Sequence, residues 1–168
     1  MNLRLHVPGL KDMQVRAKWL MDPQTMAYNR GQQIDAEGYD SETGCIDFPR
    51  SDWRYWREIW LYREPNRFSA YLEDTETGQF VGEVCYYDGF DPEGVRVGIL
   101  IAGEHRGKGY AALGLRLLCE RAFSREEISL LQAEIPQDNV SAVRSYLSGG
   151  FRIVRTENGI VRLEKSRV

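Results

Sequence analysis

The chain has 168 residues, 22 Lys and Arg against 25 Asp and Glu, a net charge of −3, and a composition that is 42% hydrophobic and 28% charged. Such a length fits one globular domain that needs no metal or disulfide staple, and the negative balance argues against a general nucleic-acid binder, which requires a basic footprint. Cys45, Cys85 and Cys119 are widely spaced with no CxxC pair, His6 and His105 lie far apart, and the first ten residues lack a signal-like apolar core, so the expectation is a soluble cytoplasmic protein without disulfide framework, zinc site or membrane span.

In chain order, Leu3 to Val7 alternates apolar and polar residues, a short strand ending at Pro8-Gly9. Met13, Ala17 and Leu20 recur at helical spacing between Asp12 and Met21, and Asp22-Pro23 marks a stop. Residues 29–52 read as loop with a little strand, because glycines at 31, 38 and 44 alternate with Asp35, Glu37, Asp40, Glu42, Asp47 and Asp52. Trp53, Trp56 and Trp60 predict a helix over Asp52 to Leu61 with Ser51 as its cap. Strands follow at Phe68 to Glu73 and Phe80 to Tyr87, joined by the hairpin "DTETG", and "DGFDPEG" leads into a third at Val95 to Ile101. Tyr110 to Ser124 is a helix with few charges, hence one packed on a sheet. After a strand at Leu130 to Ile135 comes a short helix, Ser141 to Ser148, stopped by Gly149-Gly150. Phe151 to Thr156 and Ile160 to Glu164 form a last hairpin around "ENG". A meander followed by alternation predicts an α/β (α+β) fold of mixed strand direction over residues 1–168 as a single domain.

The segment 104–112, "EHRGKGYAA", stands between an apolar strand and a helix start. A helix start leaves backbone N–H groups without partners and carries partial positive charge, so it accepts anions. Gly107 and Gly109 let a phosphate approach the backbone, and Arg106 and Lys108 add full charge. A plain glycine turn with two solvated bases is the alternative. The P-loop pattern fails because Gly109 follows Lys108, and the dinucleotide fingerprint lacks its third glycine. Downstream, Asn139 follows a strand and can cap the next helix, while Ala142, Val143, Tyr146 and Leu147 share its apolar face.

Together, "RGKGYA" (residues 106–111) and "NVSAVRSYLSGGF" (139–151) resemble the [QR]xxGx[GA] loop and the later Asn…Tyr…GF segment of GNAT-type N-acetyltransferases, and the element order agrees from Leu3 to Glu164. The resemblance implies a twisted mixed sheet of about seven strands with about four helices, splayed between the fourth and fifth strands. It implies acetyl-CoA as co-substrate and no metal, with the strand-loop-helix 95–124 serving the diphosphate. The main chain of Ile99, Leu100 and Ile101 would pair with the pantetheine arm. The amides of Arg106, Gly107, Lys108, Gly109, Tyr110 and Ala111 would hold the diphosphate, Asn139 would contact the cofactor, and Tyr146 would protonate the leaving thiolate as general acid.

Arg96 stands where many relatives carry a carboxylate, and Gly149 where they carry a bulkier residue. The base therefore falls to Glu83, expected among apolar neighbours that would raise its pKa, or to Glu134 at the end of the next central strand. The loop 29–52 lies where relatives build the acceptor site. Its acids, with Tyr28, Tyr39, Phe48, Trp53, Tyr55 and Trp56, suit a cationic amine, either a small polyamine-like or aminoglycoside-like molecule or a protein N-terminus. A solvated acidic loop beside buried tryptophans is the plainer account. No nucleic-acid or membrane partner is expected, and an exposed tryptophan face would serve a homodimer. The competing functions are a CoA-binding or interaction module without turnover and a nucleotide-phosphate enzyme.

Overall fold

The computed structural model describes residues 1–88 and 94–168; all but the two ends of "DGFDPEG" lies outside them. The strands are β1 (Leu3–His6), β2 (Phe68–Asp74), β3 (Gln79–Asp88), β4 (Gly94–Ile101), β5 (Leu130–Pro136), β6 (Arg152–Glu157) and β7 (Ile160–Ser166). The helices are α1 (Met13–Leu20), α2 (Pro23–Met26), α3 (Arg50–Trp60), α4 (Tyr110–Phe123) and α5 (Val140–Ser148). The described residues thus hold five α-helices, against about four expected. Asp22-Pro23 ends α1 and also starts α2: Asp22 accepts from the N–H of Gln24 and Thr25 at 3.1 and 3.2 Å, and Pro23 fills the first helical position. Ser51 is not a cap either, because α3 begins at Arg50 with Pro49 in the cap position and no side-chain cap bond.

The seven strands form one sheet in the order β1-β2-β3-β4-β5-β7-β6. All neighbours are antiparallel except β4 and β5, which run parallel. That parallel pair meets only at Gly94–Leu130, Val95–Leu131 and Arg96–Gln132. Beyond Arg96 the two strands part, so the C-terminal half of β4 is left with an open edge in the middle of the sheet. This is the splay that the resemblance implied.

Two apolar clusters cover the two faces. On one, Leu115, Leu118 and Ala122 of α4 and Tyr146 of α5 pack on Leu72, Val84, Val97 and Ile135. On the other, Met13 and Leu20 of α1, Met26 and Phe48 pack on Tyr71 and Leu100. Residues 30–49 contain no helix or ladder strand, only a bridge between Tyr39 and Ile46. The segment is nevertheless pinned, by the N–H of Ile46 to the Leu20 carbonyl at 2.9 Å and by the Tyr39 hydroxyl to the Asn29 carbonyl. Its buried Cys45 and Phe48 hold it on the sheet, while Asp35, Glu37 and Asp47 face solvent. No helix among the described residues is long and apolar enough to cross a membrane, and no group of three or more His, Cys, Asp or Glu among them could hold a metal ion.

Candidate active site

Where β4 and β5 part, a cleft of about 730 Å³ opens between the end of β4, the start of α4 and the length of α5. Ile99, Leu100, Ile101, Arg106, Gly107, Gly109, Ala111, Asn139 and Tyr146 line it, so segments distant in sequence meet there. Lys108 and Tyr110 are not part of the lining. The Lys108 ammonium donates to the Glu104 carbonyl at 3.1 Å, and the buried Tyr110 hydroxyl donates to Asp74 Oδ2 at 2.7 Å. Only their backbone can serve a ligand in the loop.

The loop's charge is used differently from the sequence expectation. The Arg106 guanidinium donates to three carbonyls, those of Ile101 (3.2 Å), Gln24 (3.1 Å) and Thr25. The Thr25 hydroxyl accepts from the N–H of Gly103 at 2.9 Å. Arg106 is therefore a tie between the loop and α2, and its side chain has little left for an anion. What remains is the backbone. No described group accepts from the N–H of Gly107 through Ala112, as the first turn of an α-helix dictates. Gly107 and Gly109 have φ of +75° and +84°, and a Cβ on either would meet nothing within 4 Å. The bare amides thus face open space at the positive end of α4, which fits a diphosphate.

The open edge of β4 supplies the second half of the cleft. Because Ala102 N–H donates to Val81, alternate residues of β4 bond to β3 and the rest point into the gap. The Val97 carbonyl takes the Tyr146 hydroxyl at 3.2 Å, and the Ile101 carbonyl takes Arg106. Between them, the N–H and C=O of Ile99 face the gap, where no described strand pairs with them. A strand edge with one free donor and acceptor suits the amide-bearing arm of CoA. Asn139 caps α5, its side-chain oxygen accepting from Ala142 N–H at 3.3 Å.

Tyr146 is both core and cleft. It is 4% exposed, and its ring meets Phe151 edge-on at 5.0 Å. Burial, reinforced by Cys85 and Tyr87, pushes its phenol well above the usual range. It is therefore a protonated hydroxyl over the whole neutral range.

The two carboxylates proposed as bases lie in contrasting places. Glu83 on β3 is paired in register with Leu100 of β4 and Tyr71 of β2, and half-buried. Its neighbours are not purely apolar as expected: Arg16 Nε donates to its Oε2 at 3.1 Å. Burial first, then the Glu83 charge, raises the Cys85 thiol to about 12 and the Tyr71 phenol as well. Glu134 on β5 is exposed and stands opposite Arg162 of β7.

Sequence reasoning missed Arg16. Its guanidinium lies 4.8 Å from the Phe48 ring centre and 4.5 Å from that of Trp56. Two of the aromatics assigned to an acceptor's cation hold the chain's own cation. Trp56 and Trp60 stack at 6.1 Å, and Trp60 meets Tyr87 edge-on at 5.5 Å, so these half-buried rings pack inside the chain. The unassigned His105 and Tyr28 also line the cleft, the Tyr28 side chain being 49% exposed. The only signal for Arg16 was its position on α1 three residues after Met13, which carries no information about Glu83 across the sheet.

The model of the acetyltransferase (GNAT) domain matches residues 2–152. No curated protein matches the chain by sequence. Solved structures with the same fold include a GNAT-family acetyltransferase from Bacillus anthracis (13% identity, TM-score 0.73, 99% of this chain and 95% of that one). Spermidine N-acetyltransferase from Vibrio cholerae, in complex with CoA and spermine, aligns at 15% identity and TM-score 0.72 over 98% and 95% of the chains. The aminoglycoside acetyltransferase AAC(6')-Ib, in complex with coenzyme A and kanamycin, aligns at 20% identity and TM-score 0.68 over 99% and 95%.

Proposed function

Because the chain belongs to the acetyltransferase (GNAT) family, we propose that it transfers an acetyl group from acetyl-CoA to a primary amine by direct attack on the thioester. The reading is carried by one observation: the bare amides of Gly107, Gly109 and Ala111, the open edge of β4 at Ile99 and the Tyr146 hydroxyl all border a single cleft. The named amine ligands of two structural neighbours, spermine and kanamycin, support the acceptor class.

Bound acetyl-CoA supplies the acetyl thioester that the amine attacks, forming the C–N bond as the C–S bond breaks. The amides of residues 107–111 hold the diphosphate, the Arg106 N–H being taken by the Gly103 carbonyl at 3.3 Å, and the backbone of Ile99 to Ile101 aligns the pantetheine arm, which removes most of the positional freedom the reaction must otherwise lose. The Ile99 N–H is a fixed donor for charge developing on the thioester oxygen. Tyr146 turns its hydroxyl from the Val97 carbonyl and gives its proton to the departing sulfur. Glu83 is the better placed of the two candidate bases, since it lies beside Leu100 on the acceptor face while Glu134 is solvated.

Thiol release from acetyl-CoA in the presence of a panel of primary amines tests the proposal. Amine-dependent release is expected. Tight CoA binding without release by any amine would mean a binding module instead.

A further inference from the structure

Arg16 and Glu83 form a half-buried pair on the acceptor side of β3, and the pair is incomplete as a hydrogen-bonding unit. Nε of Arg16 is used on Glu83 Oε2, and the guanidinium sits in the corner made by Phe48 and Trp56, whose rings meet edge-on at 6.1 Å. The side chain is only 16% exposed. Even so, Nη1 and Nη2 donate to no described residue, and Glu83 Oε1 accepts from none. Four N–H donors of a guanidinium and one carboxylate oxygen are thus left side by side, fixed in orientation by their neighbours.

Neither residue is in the cleft lining, but the pair adjoins it. Glu83 is in register with Leu100, which lines the cleft. Tyr28 also lines the cleft and lies within electrostatic reach of both Glu83 and Arg16. Neither group serves the cofactor loop, which α2 and Arg106 build from the other end of β4.

We propose, building on the amine-acetyltransferase reading, that the acceptor carries a carboxylate near its amine and that Arg16 and Glu83 read the two charges together. The fork of Arg16 takes the planar carboxylate in two parallel bonds, and Glu83 Oε1 takes the amine end. A guanidinium already packed against two rings and anchored at Nε loses little freedom on binding, so the contact is strong for its size. A purely cationic amine finds the opposite situation, a carboxylate whose charge is already balanced by Arg16. The carboxylate can belong to a free amino acid or to an acidic side chain at a peptide N-terminus. Both present an oxyanion a few bonds from a primary amine.

The full-length protein is assayed by thiol release from acetyl-CoA against L-amino acids and their carboxamides, peptides with an acidic or amidated N-terminal residue, and spermidine. A site built to bind a charged group rejects the analogue lacking it, so kcat/KM is expected to be about 10- to 100-fold higher for the acid than for its own amide. The acid that wins identifies the source, amino acid or peptide. Arg16→Gln abolishes that preference by lowering the acid arm more than the amide arm, with CoA affinity by calorimetry staying within about threefold as the report on its fold; Arg16→Lys restores part of the preference, as a point charge without the fork. Equal use of acid and amide by the unmodified protein overturns the proposal. So does an equal loss of both arms in Arg16→Gln, or a gain of spermidine turnover, which would make Arg16 a plug. Absence of release with every amine, while CoA binds, overturns the transferase reading and this proposal with it.

Discussion

Replacing Tyr146 by Phe removes one oxygen and leaves the ring against Phe151 at 5.0 Å. Among the described residues the lost hydroxyl has one partner, the Val97 carbonyl at 3.2 Å, in the gap between β4 and β5. An unpaired buried carbonyl costs about 1–2 kcal/mol of stability, too little to unfold an ordinary domain. Removing a general acid lowers kcat by about 100-fold or more, which is about 2.7 kcal/mol of barrier. The amides of the 106–111 loop and the β4 edge are untouched, so CoA affinity should stay within about threefold. Steady-state thiol release gives kcat, and calorimetry with CoA gives affinity. The raised phenol adds a pH signature: Tyr146 stays protonated past its ordinary range, so the unmodified enzyme shows no fall in kcat from this group through the neutral and mildly basic region. Equal losses of turnover and affinity would make Tyr146 a structural tyrosine. Unchanged turnover would mean that another group protonates the sulfur.

Gly109→Leu puts a side chain into the open space over the amides and forces a left-handed φ of +84° on a branched residue. The strain costs about 1–2 kcal/mol, and CoA affinity measured by calorimetry is expected to drop about 30-fold as the anion is kept from the helix start; unchanged affinity would move the diphosphate elsewhere. Glu64 accepts from Arg121, Arg125 and the Tyr86 hydroxyl, and these bonds overcome burial to hold its carboxyl at about 2, against an ordinary 4.5. That gap corresponds to about 3 kcal/mol, brought nearer 2 by the solvent reaching the two arginines. A lowered folded pKa stabilises above the unfolded value, so Glu64→Gln should lose about 2 kcal/mol in denaturant unfolding at pH 7, with the difference shrinking below pH 4.5 and gone near pH 2. A difference that is flat with pH would refute the charge-based account.

Much of this protein was determined by local chemistry along the chain. Alternation in β1, the Asn139 cap and the two glycines at the start of α4 each act within a few residues, and each appears where its residues predict it. The two motifs around Arg106 and Tyr146 also come together on one cleft, where the donor side is proposed. What the tertiary structure decided lies across the sheet, where sequence distance carries no signal. Arg106 reads as an anion ligand by charge, yet its donors go to α2, more than 75 residues away. Glu83 reads as a lone acid among apolar residues, yet its partner comes from α1, 67 residues earlier. Phe48 and Trp56 read as walls for a substrate's cation, and they hold Arg16 instead. Hydrogen-bond donors and charges are satisfied by whatever folding brings within about 3 Å, and that depends on the packing of both faces of the sheet rather than on the residue types alone.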